Sequence, residues 1–103
     1  MLRIQETVLR LVRDLRPVVE RISQHDCDLG RQMRRALTSV PLNIAEGASS
    51  RGRNRNARYH TAAGSMREVG ACIDVANALG YVEQGAPSDI GLVVNTLMKV
   101  ARQ

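Results

Sequence analysis

Residues 50–58, SRGRNRNAR, place Arg51, Arg53, Arg55 and Arg58 within eight positions and include no acidic residue. A guanidinium is planar and permanently charged, and presents paired N–H donors that match two oxygens of a phosphate or carboxylate. The chemistry this spacing offers is therefore the binding of an anion, with each arginine able to neutralise one phosphate. Four such contacts on duplex DNA imply a slope of about −3.6 in log K against log salt. The chain as a whole is basic, with net charge +5 and a sequence pI near 10.2, which favours anionic partners such as RNA or DNA. Of the fifteen basic residues only Lys99 is a lysine. That ratio also follows from GC-rich coding, so the charge carries more weight than the choice of arginine.

Other chemistries find less support. His25 and Cys27 in HDCD lack the second ligand pair of a structural zinc site, and His60 stands alone. No Glu-x-x-His element of a di-iron bundle occurs. Gly47 and Gly52 form neither a Gly-x-x-x-x-Gly-Lys-Ser/Thr loop nor a Gly-x-Gly-x-x-Gly turn. No activated nucleophile or general base stands out, so neither an enzyme, nor a metal, nor another cofactor is expected. The aromatics are Tyr59 and Tyr81 alone, too few for base stacking on single strands, so any nucleic-acid contact is expected to be sequence-independent.

The elements that position these residues read as helices. At 103 residues, 44% hydrophobic, the chain has the size and composition of one domain over residues 1–103 with a single core. Ile4, Val8, Leu11, Leu15, Val18 and Ile22 recur at steps of four and three, which predicts a first helix to about Ser23, kinked at Pro17. QHDCD reads as a polar connection. Leu29, Met33, Ala36, Leu37, Val40 and Ile44 predict a second helix capped by Asp26 or Asp28, interrupted at Pro41 and closed by a left-handed Gly47. A third helix runs from a cap at Asn54 or Asn56 to Leu79, where Gly80 ends it, and a fourth starts from Ser88 as its cap. No alternating strand pattern competes. The expected fold is an all-α, antiparallel up-down four-helix bundle. With no apolar signal segment, no run long enough to span a bilayer and two cysteines expected to stay free, the expected setting is a reducing cytoplasm without membrane contact.

Several separated stretches also resemble one family. LGRQMRRALTSVPLNIAEGASSR and AAGSMREVGACIDVANALGY look like the four-helix-bundle family of 23S rRNA intervening-sequence proteins. The matching positions are Gln32, Arg35, Ala36, Ser39, Val40, Pro41, Asn43, Ile44, Ala45, Glu46 and Gly47, then Gly64, Ser65 and Glu68, then Leu79, Gly80 and Tyr81. The family is similar to the accessory protein of diversity-generating retroelements. The resemblance implies a homo-oligomer, a pentamer, without enzymatic activity. It also implies, as an alternative to nucleic-acid binding, a scaffold or accessory subunit for a reverse transcriptase or another nucleic-acid enzyme.

An antiparallel pair of helices turning near residue 51 places Arg35 opposite Glu68 and brings Asn43 and Glu46 close to Arg55–Tyr59. Arg35, Asn43, Glu46 and Glu68 are accordingly expected to form a structural polar network. In it Arg35 pairs with Glu68 between the helices, and Asn43 and Glu46 bind backbone groups freed around Pro41.

Overall fold

The structure is a computed structural model that describes residues 2–103. Four helices follow one another: α1 (Arg3–His25), α2 (Cys27–Ala48), α3 (Gly52–Ala78) and α4 (Ser88–Ala101). α1 packs on α2, α2 on α3 and α3 on α4, and α4 closes back against α1, giving a bundle 42 Å long and about half as wide. The expected four-helix bundle is the fold.

Its core is a set of aliphatic stripes. Val8, Leu11, Leu15, Val19 and Ile22 of α1 meet Met33, Leu37, Val40 and Ile44 of α2, Met66, Val69 and Ile73 of α3, and Val93 and Leu97 of α4. Most of these lie on the seams whose spacing marks the helices in the sequence, since side chains three and four apart share one face, but Val19 takes the buried place expected of Val18, which like Ile4 is only half-buried. Among the described residues no polar or charged residue is buried.

The ends of the helices differ from expectation in four places, each for a local reason. QHDCD is not a polar connection: α1 runs to His25 and α2 begins at Cys27, with Asp26 alone between them. Asp26 serves both helices, because its N–H donates to the Ile22 carbonyl at 2.8 Å while its carboxylate accepts from the Leu29 N–H at 3.0 Å. So tight a reversal brings the two backbones together at Gly30, where a Cβ would lie 2.8 Å from the Ser23 Cα. Gly47 is not a left-handed helix end either. It lies inside α2, buried against the Tyr59 ring, and a Cβ there would come within 3.1 Å of the ring.

The left-handed residue is instead Gly52, at φ 58°, and it opens α3 ahead of both asparagines that were candidates for its cap. Ser88, finally, is the first residue of α4 rather than its cap, a position held by Pro87 at φ −68°. α1 and α2 continue through Pro17 and Pro41. Gly80 behaves as expected: at φ 79° it lets Tyr81 N–H reach the Ala76 carbonyl and its own N–H reach that of Asn77, a Schellman closure.

α4 is much shorter than its neighbours, and residues 79–87 run back along the length it leaves open. This segment is held at several points. Tyr81 stacks on His25 with ring centroids 5.1 Å apart, Arg21 Nε donates to the Tyr81 carbonyl, and Asp74 accepts from the Ala86 N–H at 2.8 Å.

Candidate nucleic-acid interface

Only Ser49, Ser50 and Arg51 separate α2 from α3, so the basic stretch is not a loop tip. Arg53, Arg55 and Arg58 belong to the first turns of α3, and Arg51 is its N-cap. The N-terminus of a helix carries the positive end of its dipole and four N–H groups without helical partners. Acidic residues commonly offset both, yet the first turn of α3 holds none and Arg51 makes no capping bond. Cations therefore stand where the backbone field is already positive.

The four arginines are not equivalent. Arg51 and Arg53 are exposed, and their side chains have no hydrogen-bond or ion-pair partner among the described residues. Arg58 is exposed and reaches Asn43 Oδ1 at 3.5 Å. Arg55 is half-buried and turned away from solvent: it donates to the carbonyls of Val100 at 3.1 Å and Gln103 at 3.3 Å, and to Asn56 Oδ1 at 3.0 Å. Its guanidinium also lies 4.9 Å from the Tyr59 ring centre. Carbonyls at a helix end lack partners and carry the negative end of the dipole, so Arg55 locks the end of α4 to the start of α3. Of the four arginines expected to bind an anion, Arg55 is thus engaged within the bundle, while Arg51, Arg53 and Arg58 are exposed.

Tertiary structure adds cations that the sequence stretch does not contain. The start of α1 and the end of α4 reach the same end of the bundle, as the Gln5 to Pro41 and Arg55 to Val100 hydrogen bonds show. They bring exposed Arg3, Lys99 and Arg102 to that end, against Glu6 and Glu46. The opposite end carries Glu20, Asp26, Asp28, Asp74 and Glu83 against Arg16, Arg21, Arg31 and Arg34, so the charge is polarised along the bundle. The sequence signal for this was the up-down topology itself, which sends residues near 3, 50 and 100 to one end.

The expected polar network is only partly assembled. Arg35 and Glu68 line one shallow groove with Asp28, Arg31 and Gln32, but no ion pair joins them. Both are exposed, and Glu68 accepts instead from Gln32 Nε2 at 3.4 Å. Water solvates each charge, which removes the need for the buried pairing that was expected. The Glu46 carboxylate is likewise exposed and makes no hydrogen bond among the described residues; it is the Glu46 backbone carbonyl that accepts, from the Ser49 and Ser50 hydroxyls. Asn43 does bind backbone, donating to the Ser39 carbonyl at 2.9 Å and to Ser39 Oγ at 3.0 Å. Ser39 Oγ in turn lies 2.8 Å from Ser65 Oγ, so a string from Arg58 through Asn43 and Ser39 to Ser65 links α2 to α3.

No group of three or more His, Cys, Asp or Glu side chains gathers among the described residues. His25 is engaged by Tyr81, and Cys27 is exposed at the start of α2. Cys72 is buried; burial raises its pKa, and the charge of Glu68 adds to the rise. Less of it is thiolate at neutral pH, and thiolate is the reactive form. Under native conditions at pH 7 a thiol reagent is therefore expected to label one site quickly, Cys27, and Cys72 only on unfolding. Intact mass before and after denaturant checks this, and rapid double labelling of the folded protein would contradict it.

Among the described residues no helix is long and apolar enough to cross a membrane. A family model described as 23S rRNA-intervening sequence protein matches residues 2–102. Neither the curated proteins nor the solved structures yield a match.

Proposed function

The chain belongs to the 23S rRNA-intervening sequence protein family, and from that footing we propose that it is a non-enzymatic, pentameric protein that grips nucleic acid through one basic end. The observation that carries this reading is the set of exposed, unpaired arginines at an uncapped, acid-free start of α3, joined there by Arg3, Lys99 and Arg102. An anion placed at this end satisfies free N–H groups and relieves repulsion among like charges together. Binding is sequence-independent. Tyr59 is only 2% exposed and Tyr81 is half-buried with one face stacked on His25, so the chain offers no platform of exposed rings for base stacking. Each basic end contributes weakly, and repetition in an oligomer raises the overall affinity through effective concentration.

The test is a titration of duplex RNA and duplex DNA against salt. Arg51, Arg53 and Arg58 together imply a slope of about −2.7 in log K against log salt per engaged copy on duplex DNA. Replacing these three with Gln is expected to flatten that dependence without unfolding the bundle, whereas Arg55→Gln is expected to lower stability and leave the slope. Absence of binding at about 50 mM salt, where electrostatic contacts are strong, would overturn the nucleic-acid reading. Light scattering that returns a monomer would overturn the assembly.

A further inference from the structure

We propose that copies of this chain join head to tail, the outward face of α3 in each seating in the groove between α1 and α4 of the next, with Glu68 set against Arg10 and Arg67 against Asp89. The inference rests on the pentameric reading above and names the two surfaces that close the ring.

The groove lies where the bundle is least closed. α1 and α4 pack far less closely than the other neighbouring pairs of helices. On that side they leave two hollows, one of about 410 Å³ between residues 3–10 of α1 and 89–96 of α4, the other of about 440 Å³ where α1 passes residues 82–87. Apolar groups line both: Ile4, Val93 and the exposed Leu92 in the first, Leu15, Pro17 and Val18 in the second. Arg10 stands on the α1 rim and Asp89 on the α4 rim, both exposed.

The matching surface is on α3. Gly64, Ala71, Val75 and Ala78 follow one another at steps of seven, four and three, and all are exposed, so the centre of this outward face carries no charge. α3 is also the helix with the least contrast between its faces, as expected of one covered on both.

Register and charge decide how the two surfaces fit. Gly70 lies against Ile90, and Arg21 donates to the Tyr81 carbonyl, which aligns α1, α3 and α4 in height. Arg10, Arg67, Glu68 and Asp89 fall near one level, and Pro17 and Val75 near another. A ring turns each copy about a common axis without raising it, so with upright bundles each level meets its own. The helices follow in one sense round every bundle, and facing surfaces run in opposite senses. The α2 flank of α3 therefore comes to the α1 rim of the next copy, and the α4 flank to its α4 rim. Glu68 lies on the α2 flank, where it accepts from Gln32. Arg67 shares the other flank with Asp74, seven residues on, which accepts from the Ala86 N–H ahead of α4. Both rims thus receive the opposite sign, while Val75 covers Pro17 and Val18, and Leu92 enters the space left by Gly64. Turning one copy over would instead send Glu68 to the Asp89 rim, a meeting of like charges that opposes the contact.

The two surfaces lie on different parts of the chain, so the contact is heterologous and continues from copy to copy. Opposite sides in contact would run straight into a filament. A corner helix seated on a side turns each copy relative to the last, and five copies close with a turn of about 72°. All basic ends then point one way, and Arg51, Arg53 and Arg58 recur around one face of the ring.

Light scattering of the full chain at micromolar concentration reads the assembly. Leu92→Glu in the groove and Val75→Glu on α3 are each expected to reduce a mass of five chains to that of one, because each sets an unpaired charge in the contact. Arg10→Glu and Glu68→Arg are each expected to lower it too, and the double exchange to restore five chains, since the pair re-forms with its signs swapped. Leu42→Glu, as exposed as Leu92 but on the outward face of α2, is expected to leave the mass at five. Circular dichroism checks that the variants stay helical, as substitutions at exposed positions should. A wild-type mass of five chains that neither Leu92→Glu nor Val75→Glu changes overturns this contact and leaves the pentameric reading in place. Dissociation by Leu42→Glu alone overturns it in favour of α2. Failure of the double exchange to restore the mass overturns the pairing of Glu68 with Arg10. A wild-type mass of one or two chains overturns both the contact and the pentamer.

Discussion

Tyr59→Ala is expected to destabilise the bundle by about 3 to 5 kcal/mol, the range found for removing a buried aromatic side chain. Tyr59 is 2% exposed and stands where three elements meet. Gly47 of α2 lies against its ring, the Arg55 guanidinium lies 4.9 Å from its centre, and Arg55 in turn holds the end of α4 through the Val100 carbonyl. Losing the ring opens a cavity under Gly47, which has no side chain to fill it. It also removes the surface that orients Arg55, and a cation over an aromatic face is worth about 0.5 to 2 kcal/mol. Against a total stability of about 5 to 15 kcal/mol the loss is large. Urea denaturation followed by circular dichroism measures it. Tyr59→Phe keeps the ring and is expected to cost little, because the hydroxyl makes no hydrogen bond among the described residues. An alanine variant within 1 kcal/mol of the parent would show that Tyr59 does not join the elements in this way.

Gly30→Ala and Gly91→Ala are expected to change stability in opposite directions although both glycines are helical. At Gly30 a Cβ would approach the Ser23 Cα to 2.8 Å and collide with the Ser23 side chain. A backbone atom cannot swing aside, so α1 and α2 must separate at their tightest point, where Asp26 alone connects them. Forced overpacking costs about 1 to 3 kcal/mol, and contact with backbone belongs at the upper end. For a domain of this size each kcal/mol corresponds to about 4 to 8 °C in melting temperature. Gly91 lies on the exposed face of α4, where a Cβ would meet nothing within 4 Å. Alanine there restricts the unfolded chain and favours the helix, with an expected gain of about 0.5 to 1 kcal/mol. Melting curves of the two variants beside the parent are sufficient, and equal shifts would contradict the close approach at Gly30.

The same contrast shows how much was legible in the sequence. The aliphatic spacing of α1 to α4 reflects positions along a helix, which are local, so it correctly yields four helices, their core stripes and the role of Gly80. The stretches around SVPLNIAEG and LGY resemble the family that the match over residues 2–102 establishes. The Asp26 cap of α2 was one of the two expected, whereas the end of α1 at His25 and the start of α3 at Gly52 were misplaced because each depends on how two helices meet. Asp26 has both an N–H for α1 and a carboxylate for α2, and no single-helix rule anticipates one residue serving both. Gly47 satisfies the rule for a helix end but answers to the Tyr59 ring instead.

The arginines and the polar network divide in the same way. By itself the sequence determined that the chain is basic, that it forms four helices, and that Arg51, Arg53, Arg55 and Arg58 cluster ahead of the third apolar stripe. Only the tertiary structure decided that Arg55 belongs to the end of α4, that Arg3, Lys99 and Arg102 share the basic end, and that Arg35 and Glu68 stay apart in water. The physical reason is that helix formation depends on neighbours within a turn. Which side chains meet between helices depends on axial register and rotation about each axis, and many weak contacts set these jointly.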